Sequence, residues 1–256
     1  MEWTDDEFMV STAARQLQDG DSVLVGVGIP NLACNLAKRT HAPELCMIYE
    51  SGVIDAEPDS LPLSIGDPVL LSGARSAVSM YDGFGYYLQG GRTDVGFLGG
   101  AQIDKYGNIN STVIGDYDDP KVRLPGSGGA CEIASNAHRT IIITNHRQRK
   151  LPETVDFVTS PGYIDGREGR RDLGLKGGPE VVITEKAVMR FDERGEMYVD
   201  SLHPGVTEDD VREATGWDIS FAADVEETET PTVGEIDIIR TDLDPEGVYV
   251  DRPNAE

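Results

Sequence analysis

Cys46-Met47-Ile48-Tyr49-Glu50-Ser51-Gly52 reads as a short buried strand that ends on an acid and opens into a turn. Cys46 to Tyr49 are all apolar or aromatic, and Pro43 and Gly52 bound the run. Such a run suits a strand covered on both faces, as in a parallel sheet. Glu50 then stands at the strand's carboxyl end, the edge where open α/β sheets hold their ligands. A carboxylate placed there serves as nucleophile or base. Read alone, it is more simply a solvated Glu at the mouth of a loop.

Working outward, the chain repeats the pattern of apolar run followed by glycine. Thr4-Asp5-Asp6-Glu7 has the form of a capping box and predicts a helix from there, ended by Gly20. Ser22 to Val27 is the next strand, and Gly26-Val27-Gly28 is its exit. Asn31 is placed to cap a second helix over Leu32 to Arg39. The third glycine of a dinucleotide fingerprint is missing, which excludes NAD. Residues 53 to 68, with Pro58, Pro62 and Pro68, form a long connection of the kind that carries function. Tyr81, Phe84, Tyr86 and Tyr87 are either pocket lining or core, and core is expected. Asp94 to Leu98 is a strand leaving through Gly99-Gly100. Gly126-Ser127-Gly128-Gly129-Ala130 offers free backbone donors ahead of a helix over Glu132 to Asn136. Ile141 to Ile143 and Val155 to Ser160 are further strands. From about residue 180 a meander follows (Val181–Thr184, Ala187–Phe191, Met197–Val199), then a capped helix over Thr207 to Ala214. Residues 222 to 256 read as an acidic surface arm. The three glycine clusters all follow predicted strands, as Glu50 does, so a parallel sheet would bring them to one edge.

Composition narrows the function. The 256 residues, 39% hydrophobic, are enough for a large core in one α/β domain. Net charge is −24, from 46 acidic against 22 basic residues, which excludes a phosphate backbone as partner. A spread acidic surface with few lysines suits a salt-saturated cytoplasm and predicts a halophilic, archaeal source. No apolar run approaches a membrane span, and the acidic N-terminus is no signal peptide. Cys34, Cys46 and Cys131 fit neither a disulfide framework nor a metal site, so a reducing cytoplasm is expected. The four histidines have no zinc spacing, and no serine elbow or Walker sequence is present.

Taken together, Glu50-Ser51-Gly52, Gly99-Gly100-Ala101-Gln102-Ile103-Asp104, Tyr106-Gly107-Asn108-Ile109-Asn110-Ser111-Thr112, Gly126-Ser127-Gly128-Gly129-Ala130 and Val158-Thr159-Ser160-Pro161-Gly162 resemble class I CoA-transferases. The likeness is strongest to glutaconate-type beta subunits and runs in order from about residue 5 to the C-terminus. Position 113 is Val where several acetate-type transferases carry His, which favours the glutaconate-like branch. The resemblance implies an open, mainly parallel α/β sheet flanked by helices, of the CoA-transferase and ribose-5-phosphate-isomerase kind. It implies one domain over residues 1–256, with 180–256 as an extension of meander, short helix and acidic arm.

The resemblance also implies a reaction. Glu50 matches the family's catalytic glutamate, which passes through a glutamyl-CoA thioester. Gly26, Val27 and Gly28 match an oxyanion loop, and Asn110 a donor side chain. Gly128 and Gly129 match an outer oxyanion site beside the CoA thioester, and Gly99, Gly100 and Ala130 are expected with them in the oxyanion and CoA-binding site. No permanently bound cofactor is implied, since the coenzyme A thioester is co-substrate. A separate alpha subunit is the implied partner, with no nucleic acid, membrane or metal. Two other readings stay open: a CoA-ester or ring-cleaving hydrolase on the same fold, and a non-catalytic subunit that binds CoA or a sugar phosphate.

Overall fold

A computed structural model describes residues 2–58 and 60–252. Position 59 of the long connection and the last four positions of the expected arm lie outside the described residues. The chain forms two compact units, one of residues 1–97 with 229–256 and one of residues 98–228.

In the first unit the Thr4 capping box forms as the sequence predicts. Thr4 Oγ1 accepts from the Glu7 N–H at 3.3 Å, and Glu7 Oε2 accepts from the Thr4 N–H at 2.9 Å. The helix it opens, α1 (Asp5–Ala14), stops at Arg15, well short of Gly20. Gly20, at φ +84°, instead turns the chain into β1 (Ser22–Val25). Then follow α2 (Ile29–Arg39), β2 (Cys46–Tyr49), β3 (Val53–Ile54), β4 (Ser76–Ala77), α3 (Met80–Asp82) and β5 (Val95–Leu98). The strand order is β5-β1-β2-β3-β4. β1 runs parallel to β2 and β5, while β2–β3 and β3–β4 are antiparallel. The parallel centre explains the uninterrupted apolar runs: Val23 to Val25 and Met47 to Tyr49 are buried. Each such side chain contributes about 1.5–3 kcal/mol when withdrawn from water.

Two expectations fail in this unit. The cap of α2 is Gly28, so Asn31 lies inside the first turn with its side chain turned to the core. After the long connection, Pro68 starts a 3-10 turn over Pro68–Leu71. The aromatic cluster is not core. Tyr81 and Tyr86 are exposed, Phe84 and Tyr87 are half-buried, and Arg92 stacks on the Tyr86 ring at 4.1 Å.

The second unit opens with two small hairpins, β6 (Gln102–Ile103) with β7 (Ile109–Asn110), and β8 (Val113–Gly115) with β9 (Pro120–Arg123). After α4 (Ala130–Asn136) comes β10 (Arg139–Ile143), then α5 (Arg167–Asp172), β11 (Pro179–Ile183), β12 (Ala187–Phe191), β13 (Met197–Leu202), α6 (Glu208–Ala214) and β14 (Ser220–Glu227). Their order is β14-β13-β12-β11-β10, with β11–β12–β13 the antiparallel meander that the sequence predicts. β10–β11 and β13–β14 are parallel. The Val155–Ser160 strand does not form. That segment keeps a bridge from Ser160 to Ile109; Pro161 then lacks an N–H to extend the pairing, and Gly162 packs against the Gly107 backbone.

The expected arm is also corrected. Residues 220–227 pair into the sheet as β14. α7 (Val233–Ile238) and the residues that follow it pack in the first unit, where Ile236, Ile239, Leu243 and Val250 are buried. Charge anchors it there: Arg15 meets Glu235 at 2.7 Å, and Arg240 meets the buried Glu7 at 2.6 Å.

Candidate functional site

β2 ends at Tyr49, in register with Val25 of β1. One step further along the two parallel strands stand Glu50 and Gly26. The sheet thus brings the acid and the first glycine loop side by side, as parallel pairing requires. Glu50 occupies the tip of the β2–β3 hairpin. The Gly52 N–H donates to the Tyr49 carbonyl at 2.8 Å, and the Val78 N–H donates to the Gly52 carbonyl at 2.9 Å. Gly52 has φ +93°, and a Cβ there would fall 2.2 Å from the Val78 oxygen. Only glycine closes this turn.

Below the tip, the Tyr49 hydroxyl donates to Asn31 Oδ1 at 3.0 Å, and Asn35 Nδ2 donates to the same oxygen at 2.8 Å. Both Tyr49 and Asn31 are buried. This clamp holds the end of β2 against the first turn of α2. Asn31 Nδ2 and Ser51 Oγ are buried without a hydrogen-bond partner.

The Glu50 side chain is half-buried, and no hydrogen bond or ion pair engages it among the described residues. Burial alone pushes its carboxyl above the ordinary glutamate range. Next to it Gly26, Val27 and Gly28 are half-buried, and Gly28 at φ +84° caps α2. Cβ atoms at Gly26 and Gly28 would meet nothing within 4 Å. The first N–H groups of a helix have no intrahelical acceptor. The local chemistry is therefore a carboxylate without a cation, beside open backbone and a helix start.

The other predicted residues lie in the second unit. Gly99 and Gly100 are packed: a Cβ on Gly100 would lie 2.4 Å from Ile109 Cγ2, and one on Gly99 3.1 Å from the Ile143 oxygen. Asn110 is fully buried. Its Nδ2 donates to Gln102 Oε1 at 2.7 Å and to the Val113 carbonyl at 2.6 Å. Its Oδ1 accepts from the Thr112 and Val113 N–H groups. The loop at Gly128, Gly129 and Ala130 has Gly128 exposed and the other two half-buried. Its base is fixed where Ser111 and Gly126 exchange two bonds of 2.9 Å, and Gly128 at φ +50° faces open space. This loop follows the β8–β9 hairpin, not a strand of the main sheet.

Much of the remaining motif is scaffold. Asp104 accepts from the Tyr106 and Asn108 N–H groups and from Asn108 Nδ2, each at 3.0 Å. Asn108 Oδ1 in turn takes the Gly162 and Ile164 N–H groups. Arg170, which the sequence reading missed, is buried and binds the carbonyls of Ala134, Pro161, Gly162, Lys176 and Gly177. Its neighbours in sequence are polar, so no periodicity betrays it. Also missed were Lys38, Asp55 and Arg75, an ion cluster in the first unit. Among the described residues no group of acids, histidines and cysteines could hold a metal ion, and no helix is long and apolar enough to cross a membrane.

The first unit is thus an α/β unit with a half-buried carboxylate at a strand's carboxyl end beside an open glycine loop, a placement that suits a nucleophile or a base. The Coenzyme A transferase family matches residues 7–214, and the chain belongs to it. The beta subunit of 3-oxoadipate CoA-transferase from Pseudomonas knackmussii is 49% identical over 240 residues, 93% of this chain and 92% of its own. The beta subunit of glutaconate CoA-transferase from Acidaminococcus fermentans is 41% identical over 258 residues, covering 98% of this chain and 96% of its own. The crystal structure of that organism's glutaconate CoA-transferase superposes with a TM-score of 0.93 at 39% identity, over 98% and 99% of the two chains. The cholesterol ring-cleaving hydrolase IpdB subunit of Mycobacterium tuberculosis is 26% identical over 245 residues, 94% and 95% of the chains.

Proposed function

We propose that this chain is the nucleophile-bearing beta subunit of a CoA-transferase. It moves CoA between an acyl-CoA and a small carboxylic, dicarboxylic or oxo acid through a glutamyl-CoA thioester on Glu50. The observation that carries this reading is the unpaired, half-buried Glu50 one step beyond Tyr49, beside the open Gly26–Gly28 loop. A partly desolvated carboxylate without a cation is a better nucleophile than a salt-bridged one.

The steps balance without any other reactant. A Glu50 oxygen attacks the thioester carbonyl, and collapse of the tetrahedral oxyanion expels the CoA thiolate and leaves a mixed anhydride. The thiolate attacks the glutamyl carbonyl, which releases the first acid as its carboxylate and leaves Glu50 as a thioester. An incoming carboxylate runs these steps in reverse and departs with CoA. Each oxyanion needs preorganised donors, and we assign the backbone of Gly26, Val27 and Gly28 to that work. Gly128, Gly129 and Ala130 are assigned to contact CoA. Gly99 and Gly100 serve by packing their loop, and Asn110 donates to an oxyanion only when its bond to Val113 is released.

The two relatives named for glutaconate and 3-oxoadipate point to acids with two carboxylates, of either the glutaconate or the 3-oxoadipate type. Each is named as one subunit of its enzyme, so we assign a separate alpha subunit as partner. The −24 charge supports a protein adapted to molar salt, as in a halophilic archaeon's cytoplasm. Transferase activity that is indifferent to salt would end that part of the reading.

The decisive experiment gives succinyl-CoA without acceptor to the chain co-purified with its alpha subunit, followed by borohydride and peptide mass spectrometry. A CoA-bearing or reduced Glu50 is expected. Steady CoA release with unmodified Glu50 would indicate a CoA-ester hydrolase. Neither outcome would leave only the binding role. Glutaconate and 3-oxoadipate compared as acceptors then assign the type.

A further inference from the structure

Asp55 lies five residues beyond Glu50 and closes the same hairpin. Its N–H donates to the Met47 carbonyl at 2.7 Å, and it has φ +52°, a left-handed conformation that a non-glycine residue adopts at a cost of about 1–2 kcal/mol. Its carboxylate is 3% exposed. Lys38 Nζ holds one oxygen, and Arg75 Nε holds the other at 2.9 Å. Lys38 is in the last turn of α2, the helix that begins at Gly28. Arg75 donates its N–H to the Ile54 carbonyl at 3.0 Å, one step before β4. Asp55 therefore ties three pieces together: the helix that carries the glycine loop, the hairpin that carries Glu50, and the strand paired with that hairpin.

A buried ion pair adds little net stability, because desolvation offsets the attraction. A strained backbone residue persists only where its surroundings hold it, and such residues gather at functional sites. Stability alone thus gives a poor account of this cluster, whereas geometry gives a good one. We propose that Lys38, Asp55 and Arg75 are positioning residues that set the Glu50 carboxylate against the Gly26–Gly28 backbone. The proposal rests on the reading of Glu50 as nucleophile. It names the device that holds the nucleophile, on residues outside the groups proposed to react.

The test uses the chain co-purified with its alpha subunit and succinyl-CoA with glutaconate or 3-oxoadipate. Asparagine tolerates the left-handed region, so Asp55→Asn removes the charge without new backbone strain. It is expected to lower kcat about 10- to 100-fold while KM for succinyl-CoA stays within about two-fold, as a misplaced reacting group does. Lys38→Met should do the same, Lys38→Arg should restore most of the rate, and the Lys38→Met/Asp55→Asn pair should lose no more than Asp55→Asn alone. Hydrogen exchange over residues 47–55 should rise in Asp55→Asn while residues 22–25 keep their protection. Wild-type kcat in both single variants, with the wild-type Glu50 adduct formed, would overturn the proposal and leave the function standing. A wild type that forms no adduct would remove the functional reading, and unchanged exchange over 47–55 would then overturn the cluster's role in holding the hairpin as well.

Discussion

A methyl group added at Gly26 or Gly28 meets nothing within 4 Å, whereas one added at Gly100 falls 2.4 Å from Ile109 Cγ2 and 3.1 Å from the Asn110 oxygen. Both loops follow a short apolar strand, and in sequence they look alike. The first keeps glycine with space to spare, next to an acid with no partner. The second keeps it because β7 packs against it. A glycine loop past a strand is therefore ambiguous until the space around it is known. The largest effect expected from this contrast is at the open end. Glu50→Gln preserves shape and hydrogen bonding but removes the nucleophile. Acyl exchange in the complex with the alpha subunit should fall by roughly 10⁴-fold or more, with unchanged thermal unfolding. Retention of even a tenth of the rate would break the contrast by making Glu50 a bystander.

The closed loop should answer in stability. Gly100→Ala forces Cβ into a buried Ile109 side chain. Overpacking of this kind costs about 1–3 kcal/mol, which for a chain of this size lowers Tm by about 2–4 °C per kcal/mol. Gly26→Ala should leave Tm in place and lower kcat/KM about 10-fold through the loss of close approach to the loop. If Gly26→Ala unfolds the chain or Gly100→Ala spares it, the two loops do the same job and the distinction fails.

The sequence carried β2 and the Glu50 tip because a parallel-sheet strand must be apolar throughout and must end abruptly. The Thr4 and Thr207 caps were legible because a capping box is local. The meander was legible from its β-branched runs. What escaped depends on partners distant in sequence. Asn31 looks like a cap until Tyr49 takes its oxygen. Asn110 looks like a free donor until Gln102 and Val113 take both its hydrogens. Arg170 and Asp55 look like surface charges, because the groups that compensate them belong to other elements. Val155 to Ser160 has strand composition, but its pairing with β7 stops at a bridge between Ser160 and Ile109. Most of the motif around Asp104, Asn108 and Gly162 is a hydrogen-bonded scaffold, so the likeness to CoA-transferases was readable from residues that hold the fold more than from those that do chemistry.

The finest consequence of the open loop concerns why the Glu50 carboxyl is shifted. Burial is what raises its pKa. The nucleophile is the carboxylate, so kcat/KM should rise with pH through a limb above about 4.3, the ordinary glutamate value. Salt screens shifts that come from charges and leaves desolvation nearly untouched. The limb should therefore keep its position between about 0.2 M and about 2 M potassium chloride, even on a chain of net charge −24. The same shift favours folding at low pH, and that contribution fades as pH rises through the Glu50 pKa. A limb that moves down with salt would show that surrounding acids, and not the half-closed hairpin tip, set the reactivity of Glu50. Gly26→Ala would then alter the limb no more than a distant surface change does. A stationary limb that rises further in Gly26→Ala would tie the desolvation to the loop itself, since a methyl group there displaces water from the carboxylate's open side.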